Sequence, residues 1–230
     1  MVESGRRWDR LSSMEIEGDY RRDGYALVRG LVPAEVCAAI LGQMQTDAAR
    51  AGRRLEDMGK TSPILPRPAS EIYGYHYPPL LMFLWGLTPM MAHQAGCELM
   101  PTYNYFRIYR GGDRCRVHSD RQSCEHSVSL TLAYSDSQTW DFEIGEDAVP
   151  PLEGVIEENF GPSRFGSIRM SPGDAVIYNG ITRRHGRTTP NPNQWSAHLF
   201  CHWVEAAGPY ADWAFDRRGI RFPMVQFDFG

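Results

Sequence analysis

The stretch CRVHSDRQSCEHSVSLTLAY (115–134) carries the two features on which both fold and chemistry turn. Its second half, HSVSLTLAY (126–134), alternates polar and apolar residues with a period of two, the pattern of a β-strand with two unlike faces. Its first half sets a His-x-Asp, His118 and Asp120, between Cys115 and Cys124 in a run too polar to be core. Three readings of that pair stand open: half of a metal site, a catalytic dyad, or a salt-bridged surface turn in which Asp120 pairs with Arg121. On an extended segment side chains two apart point the same way, so one imidazole and one carboxylate from a single strand end can grip one ion.

Around this stretch lie more strand signals. TYNYFRIY (102–109) is rich in aromatic residues and ends in GGD, WDFEIG (140–145) is a short strand, and QWSAHLFCHWVE (194–205) is a long final one. SIRMSPGDAVIYNG (167–180) reads as strand, Pro-Gly-Asp turn and strand, a hairpin. Short strands separated by turn residues describe an all-β sandwich or barrel over 101–205. Upstream, GYALVRGLV (24–32) reads as a strand, and PAEVCAAILGQMQTDAARAG (33–52) as an amphipathic helix opened by Pro33. Residues 59–77, rich in proline and tyrosine, read as a long ordered loop, and 80–100 as one or two buried helices. Residues 1–20 are charged and aperiodic, a loose tail; 206–230 form a C-terminal extension. The expected architecture is one α+β domain over 1–230, in which strand, helices and loop of 24–100 pack on the β core.

Composition narrows the function. The 230 residues suffice for one domain with a substantial core. A formal charge of -4 excludes a protein built to grip nucleic acid through its phosphates. No apolar run approaches the ~20 residues that span a bilayer, and the opening MVESGRRWDR has no apolar signal segment, so the expected location is cytoplasmic. The 5 cysteines form no C-x-x-C pair and are odd in number, which points to free thiols rather than a disulfide framework or a zinc site.

A third ligand for His118 and Asp120 is available in RRHGR (183–187). His185 stands just before the final strand and returns to the same barrel mouth if the strands wind as a jelly roll. Two histidines and a carboxylate on one face of an iron leave three positions open, the arrangement of non-haem Fe(II) oxygenases.

In order and spacing the features resemble the iron- and 2-oxoglutarate-dependent dioxygenases, above all their prolyl-4-hydroxylase-like branch. The resemblance runs over roughly 24–205 and includes a Y-x-x-G-x-x-x-x-x-H-x-D pattern from Tyr109 through Gly112 to His118 and Asp120. It implies a double-stranded β-helix (jelly-roll, cupin-like) core with N-terminal flanking helices. It also implies His118, Asp120 and His185 as iron ligands and Tyr109 beside the co-substrate. The family places a basic residue on the final strand for the far carboxylate of 2-oxoglutarate; here that window holds Gln194, Trp195 and Ser196. A buried dianion needs a cation. Arg107, on a strand face with Tyr103, Tyr105 and Tyr109, and Arg187, two residues past His185, are the leading candidates. Arg116 and Arg121 follow, Ser196 offers a hydroxyl, and His198 and His202 alternate with it along the last strand.

The implied activity uses Fe(II), 2-oxoglutarate and O2, releases succinate and CO2, and hydroxylates an unactivated C–H bond. Asp120 favours this over halogenation, whose enzymes lack the carboxylate; desaturation, cyclisation and epimerisation use the same ligands. The expected substrate is a small molecule: an amino acid, its carrier-bound or peptidyl form, or a natural-product intermediate. Tyr73, Tyr75, Trp140 and Trp213 are candidate walls. Rival readings are a peptidyl-prolyl hydroxylase acting on a protein, a cupin-type iron protein that does not use 2-oxoglutarate, and a non-catalytic domain that keeps the fold. Neither a nucleic-acid nor a membrane partner is expected, and the oligomeric state is left open.

Overall fold

The first helix among the described residues is a matter of local capping. The Asp19 side chain accepts hydrogen bonds from the backbone N–H groups of Arg21 and Arg22, and Gly24 ends the turn in the left-handed region at φ 72°. This helix, α1 (Tyr20–Asp23), links strands β1 (Ile16–Gly18) and β2 (Tyr25–Val28), which pair antiparallel. Residues 16–18 therefore belong to the sheet and 19–20 to the start of the helix, not to the loose tail expected of 1–20; cap and stop residues make a turn that hydrophobic periodicity does not reveal. The computed structural model describes residues 15–151, 154–217 and 227–228, so the rest of that expected tail and most of 218–230 lie outside the described residues.

The remaining elements are α2 (Ala34–Arg50), β3 (Gly59–Lys60), β4 (Ala69–Tyr73), α3 (Pro78–Ala95), β5 (Leu99–Arg110), β6 (Cys115–His118) and β7 (His126–Tyr134). They continue with β8 (Phe142–Gly145), β9 (Ile156–Glu157), β10 (Phe165–Ile168), β11 (Ala175–Tyr178), β12 (His185–Arg187) and β13 (Trp195–Glu205). Among the described residues the strands make two antiparallel sheets, one in the order β1-β2-β11-β7-β13-β5-β4-β3 and a smaller one in the order β10-β8-β12-β6-β9. The first and last long core strands are neighbours: β13 pairs with β5 along nearly its whole length. This is the double-stranded β-helix expected from the sequence, with helices on the outer face of the larger sheet. No helix among the described residues is long and apolar enough to cross a membrane.

The alternation along β7 acquires its meaning from that layering. Val128, Leu130 and Leu132 face outward and join Cys37, Met44, Leu80 and Met91 of α2 and α3 in one apolar core. The opposite face, which a half-solvated sheet would turn to water, is also buried: Ser127, Ser129 and Thr131 are 0% exposed. It points into the barrel, where the Ser127 hydroxyl lies 2.8 Å from His202 Nδ1.

Two local readings are corrected. Within 59–77, the expected loop, β3 and β4 form strands, and β4 adds to the larger sheet by pairing with β5. The Pro-Gly-Asp turn does not close a hairpin: β10 pairs with β8 in the smaller sheet, whereas β11 pairs with β2 and β7 in the larger one. Asp174 holds this crossing by accepting from the backbone N–H groups of Ser171 and Gly30, both at 2.9 Å, and by pairing with Arg29. Gly173, at φ 94°, has no room for a side chain, since a Cβ would stand 2.2 Å from the Val32 carbonyl oxygen.

Candidate metal and co-substrate site

Strand pairing closes the distance between the two halves of the sequence motif. β6 and β12 are antiparallel neighbours with His118 opposite His185, and their imidazole centroids lie 4.4 Å apart. Asp120, just beyond β6, is anchored by its backbone N–H donating to the Gly180 carbonyl at 2.8 Å. Its Oδ1 lies 3.6 Å from His118 Nε2 and 3.7 Å from His185 Nε2. One ligand atom from each of the three lies within 4.8 Å of the others.

The tautomers are fixed from behind. Nδ1 of His118 donates to the Arg116 carbonyl at 2.8 Å and Nδ1 of His185 to the Arg183 carbonyl at 2.9 Å. A carbonyl can only accept, so each Nδ1 carries the hydrogen and each Nε2 turns its lone pair toward Asp120. Burial, the largest influence, pushes His185 down to about 4 and lowers His118 as well, so both rings are neutral at physiological pH. Burial acts oppositely on Asp120 and raises its carboxyl. Its Oδ2 is buried with no hydrogen-bond partner among the described residues. Two neutral imidazoles and an under-satisfied carboxylate make a donor set that fits a divalent transition metal, with the open face that iron chemistry needs.

The triad lines a tight chamber of about 20 Å³ together with Tyr105, Arg107, Tyr109, Phe142 and Arg187. An outer cavity of about 250 Å³ shares His118 and Asp120 with it and has Tyr73, Tyr103, Tyr105 and Arg121 among its walls. A wider cavity, about 1090 Å³, is an open groove between the end of α2 and β3–β4, and none of the triad reaches it.

The four residues expected around the co-substrate are placed differently from one another. Tyr109 lines the chamber beside the triad, as expected. Arg107 lines it too, but its Nε and Nη2 both donate to Oε1 of Glu71, at 2.7 and 2.6 Å, and its Nη1 donates to the Tyr109 hydroxyl at 2.9 Å. Arg187 is 2% exposed and makes no ion pair among the described residues. Its guanidinium carbon lies 5.1 and 5.2 Å from the ring centroids of Trp140 and Phe142, and its Nε has no hydrogen-bond partner. Ser196 stands outside the chamber lining and accepts from Asn191 at 3.1 Å. The secondary candidates are committed elsewhere: Arg116 pairs with Glu158 at 2.6 Å and Arg121 with Asp216 at 2.7 Å. His198 packs behind Tyr109 and Trp140, ring centroids 5.6 and 6.0 Å away, and does not line the chamber.

Among the expected walls, Tyr73 borders the outer cavity and Tyr75 packs on Tyr73 at 5.1 Å. Trp140 is instead interior, 1% exposed, its Nε1 donating to the Thr189 carbonyl. Trp213 lies 5.7 Å from the guanidinium of Arg121. The 5 cysteines are free thiols; Cys115 lines the chamber and Cys124 Sγ lies 3.2 Å from the Tyr103 hydroxyl.

Sequence reasoning missed two contributors. Glu71, which neutralises Arg107, sits in a segment read as loop, and no period marks it. Gly180 is the other: a Cβ there would stand 2.5 Å from Asp120 Oδ2 and 2.4 Å from the Cys124 carbonyl oxygen. Its signal was present as the glycine closing AVIYNG, but read only as a turn.

No protein-family model matches the chain, and no curated protein matches it by sequence. Solved structures do. The non-heme alpha-ketoglutarate-dependent carbocyclase SnoK from nogalamycin biosynthesis superposes with a TM-score of 0.63 at 10% identity, over 81% of each chain. HygX from Streptomyces hygroscopicus, solved with nickel and 2-oxoglutarate bound, gives 0.58 at 10% identity, over 82% of this chain and 85% of its own. A Pseudomonas putida prolyl-4-hydroxylase gives 0.55 at 11% identity, over 86% of this chain and 96% of its own. The chain thus has the double-stranded β-helix fold found in iron- and 2-oxoglutarate-dependent oxygenases, with two imidazoles and a carboxylate that could hold a metal ion converging where its β6 and β12 meet.

Proposed function

We propose that this protein is an Fe(II)- and 2-oxoglutarate-dependent oxygenase that hydroxylates a C–H bond of a small organic molecule. The observation that carries the reading is the convergence of His118, Asp120 and His185, with both imidazoles held by backbone carbonyls so that their lone pairs face one point. Iron(II) held there supplies, with 2-oxoglutarate and O2, a coupled oxidation: one oxygen atom enters the succinate formed with loss of CO2, and the other enters the substrate as hydroxyl.

The chain's own residues do the rest. Backbone anchoring of both histidines and of Asp120 keeps the triad on one face, so the opposite face stays open for ligands. The dry chamber around Tyr109, Phe142 and Tyr178 excludes water from the reacting centre. Substrate is admitted over the tyrosine wall, where Tyr73, Tyr103 and Tyr105 lie with stacked rings and centroids 5.3 to 6.1 Å apart. Three cations lie over that wall: Arg107 and Arg121, each matched by a carboxylate, and Lys60, whose Nζ stands 4.4 Å from the Tyr73 ring centroid; the stacked rings between them suit a ring-bearing substrate.

Anaerobic addition of Fe(II) and then 2-oxoglutarate tests the reading. The expected result is a weak visible charge-transfer band that needs both additions and is lost in His118→Ala and His185→Ala, together with substrate-independent formation of succinate in air. Stoichiometric iron binding with neither band nor succinate would instead favour a cupin-type iron protein.

A further inference from the structure

We propose that Arg187 receives the far carboxylate of the co-substrate, in place of the final-strand cation this chain lacks. The inference rests on the proposed use of 2-oxoglutarate and settles which residue reads its second charge.

The argument begins with what the final strand offers. Gln194 is exposed and engaged with Asp136, Trp195 carries no charge, and the Ser196 hydroxyl is taken up by Asn191 away from the chamber. Of the two arginines lining the chamber, Arg107 is already neutralised: a carboxylate competing for it would have to displace Glu71, itself 5% exposed, and leave that charge buried and alone. Arg187 presents the opposite case. A guanidinium this deeply buried with no counter-ion is costly, and the faces of Trp140 and Phe142 offset only part of that cost. Among the described residues its Nε is an unused donor, and its guanidinium makes one long contact, Nη2 to Met170 Sδ at 4.0 Å. A cation held by ring faces, with its hydrogen-bonding edge unspent, is built to meet an anion.

Placement agrees with the span required. His185 and Arg187 both lie on β12 and both line the chamber, across a shift in the register of β12 against β6. That suits a five-carbon diacid whose keto-acid end lies at the ligand His185 and whose other end lies deeper. The chamber is too tight for such a molecule until side chains withdraw. Arg107 is pinned by three hydrogen bonds and Arg187 by none to a carboxylate, so Arg187 is the cation able to move with the ligand.

The test pairs a residue change with a ligand change. On full-length protein loaded with Mn(II), calorimetry measures the affinity of 2-oxoglutarate and of 2-oxovalerate, which keeps five carbons and the keto acid but has a methyl group for the far carboxylate. Wild type is expected to prefer 2-oxoglutarate by about 10- to 100-fold, the range of charge-assisted hydrogen bonds. In Arg187→Met the preference collapses to within a few-fold while 2-oxovalerate binds as in wild type, which also shows that the site is intact. Arg187→Lys, keeping charge without the fork, retains part of the preference and serves if the methionine variant does not fold. In Arg107→Met the preference survives. If it persists in both Arg187 variants, or vanishes in Arg107→Met instead, the assignment to Arg187 is overturned while the use of 2-oxoglutarate stands. If the metal-loaded wild type binds neither acid, the proposed function itself fails.

Discussion

The three proposed ligand side chains owe their chemistry to atoms outside the triad. His118 and His185 are neutral because they are buried, and each is aimed by a carbonyl two residues back, on β6 for His118 and in the turn before β12 for His185. Asp120 depends on a glycine. Because Gly180 leaves no space between Asp120 Oδ2 and the Cys124 carbonyl, Gly180→Ala is expected to push the carboxylate off the shared point. Metal affinity should fall by about 10- to 100-fold, as for other changes that misorient a ligand, with the far-ultraviolet circular dichroism retained; titration with Fe(II) or Mn(II) measures it. The same scale explains what the sequence could and could not say about the arginines. Arg107 and Arg187 were equal as letters, each two residues from a site residue on a strand. Only Glu71, 36 residues from Arg107 in the chain, separates them.

Among the elements, β4 carries more than its short length implies. It pairs with β5 and brings Glu71 opposite Arg107 in register, so the buried ion pair is also a strand-to-strand clamp. Glu71→Gln leaves the guanidinium buried without its counter-charge, and stability should drop by about 3 kcal/mol, the range for breaking a buried pair from one side. Replacing both partners with apolar residues should restore most of the loss, and urea unfolding of the wild type and the two variants reads both effects. β10 and β11 show where local signals stop. Pro172, Gly173 and Asp174 do make a turn, but turn chemistry fixes a change of direction and not the partner of the strand that follows. β11 finds β2 and β7 because Val128, Leu130 and Ile177 share the outer apolar core, whereas β10 is half-exposed and finds β8.

At the scale of the whole molecule five imidazoles are buried, four of them in the barrel and His126 on the outer face of β7 against Tyr20. His118, His126 and His185 are pushed down to about 4, and His198 and His202 well below the ordinary value, burial being the first cause in each case. The folded state therefore resists protons that the unfolded chain takes up below about 6.5. Stability is full above that pH and is lost as pH falls toward 4, each histidine contributing up to about 1.4 kcal/mol per pH unit. Asp120, raised by burial, acts in the opposite sense, one group against several. Metal-free protein should thus show a urea midpoint that declines steeply between about pH 6.5 and 4.5. Added Fe(II) or Mn(II) should raise the midpoint at neutral pH, and less as acid protonates the ligands. A midpoint independent of pH over this range would contradict the neutral, buried interior.

By itself the sequence determined the periodic and the short-range. The alternation of 126–134 specified a strand, and His-x-Asp specified two donors on one side of a strand end. Tertiary structure decided everything that depends on who faces whom. It turned the polar face of β7 inward, because α2 and α3 cover the apolar face and the smaller sheet closes over the other. It set His185 opposite His118, matched Arg107 to Glu71, and left Arg187 buried between ring faces without a counter-ion. The physical reason is that charge compensation and burial are properties of contacts between segments far apart in the chain, and neither residue type nor spacing along one segment encodes them.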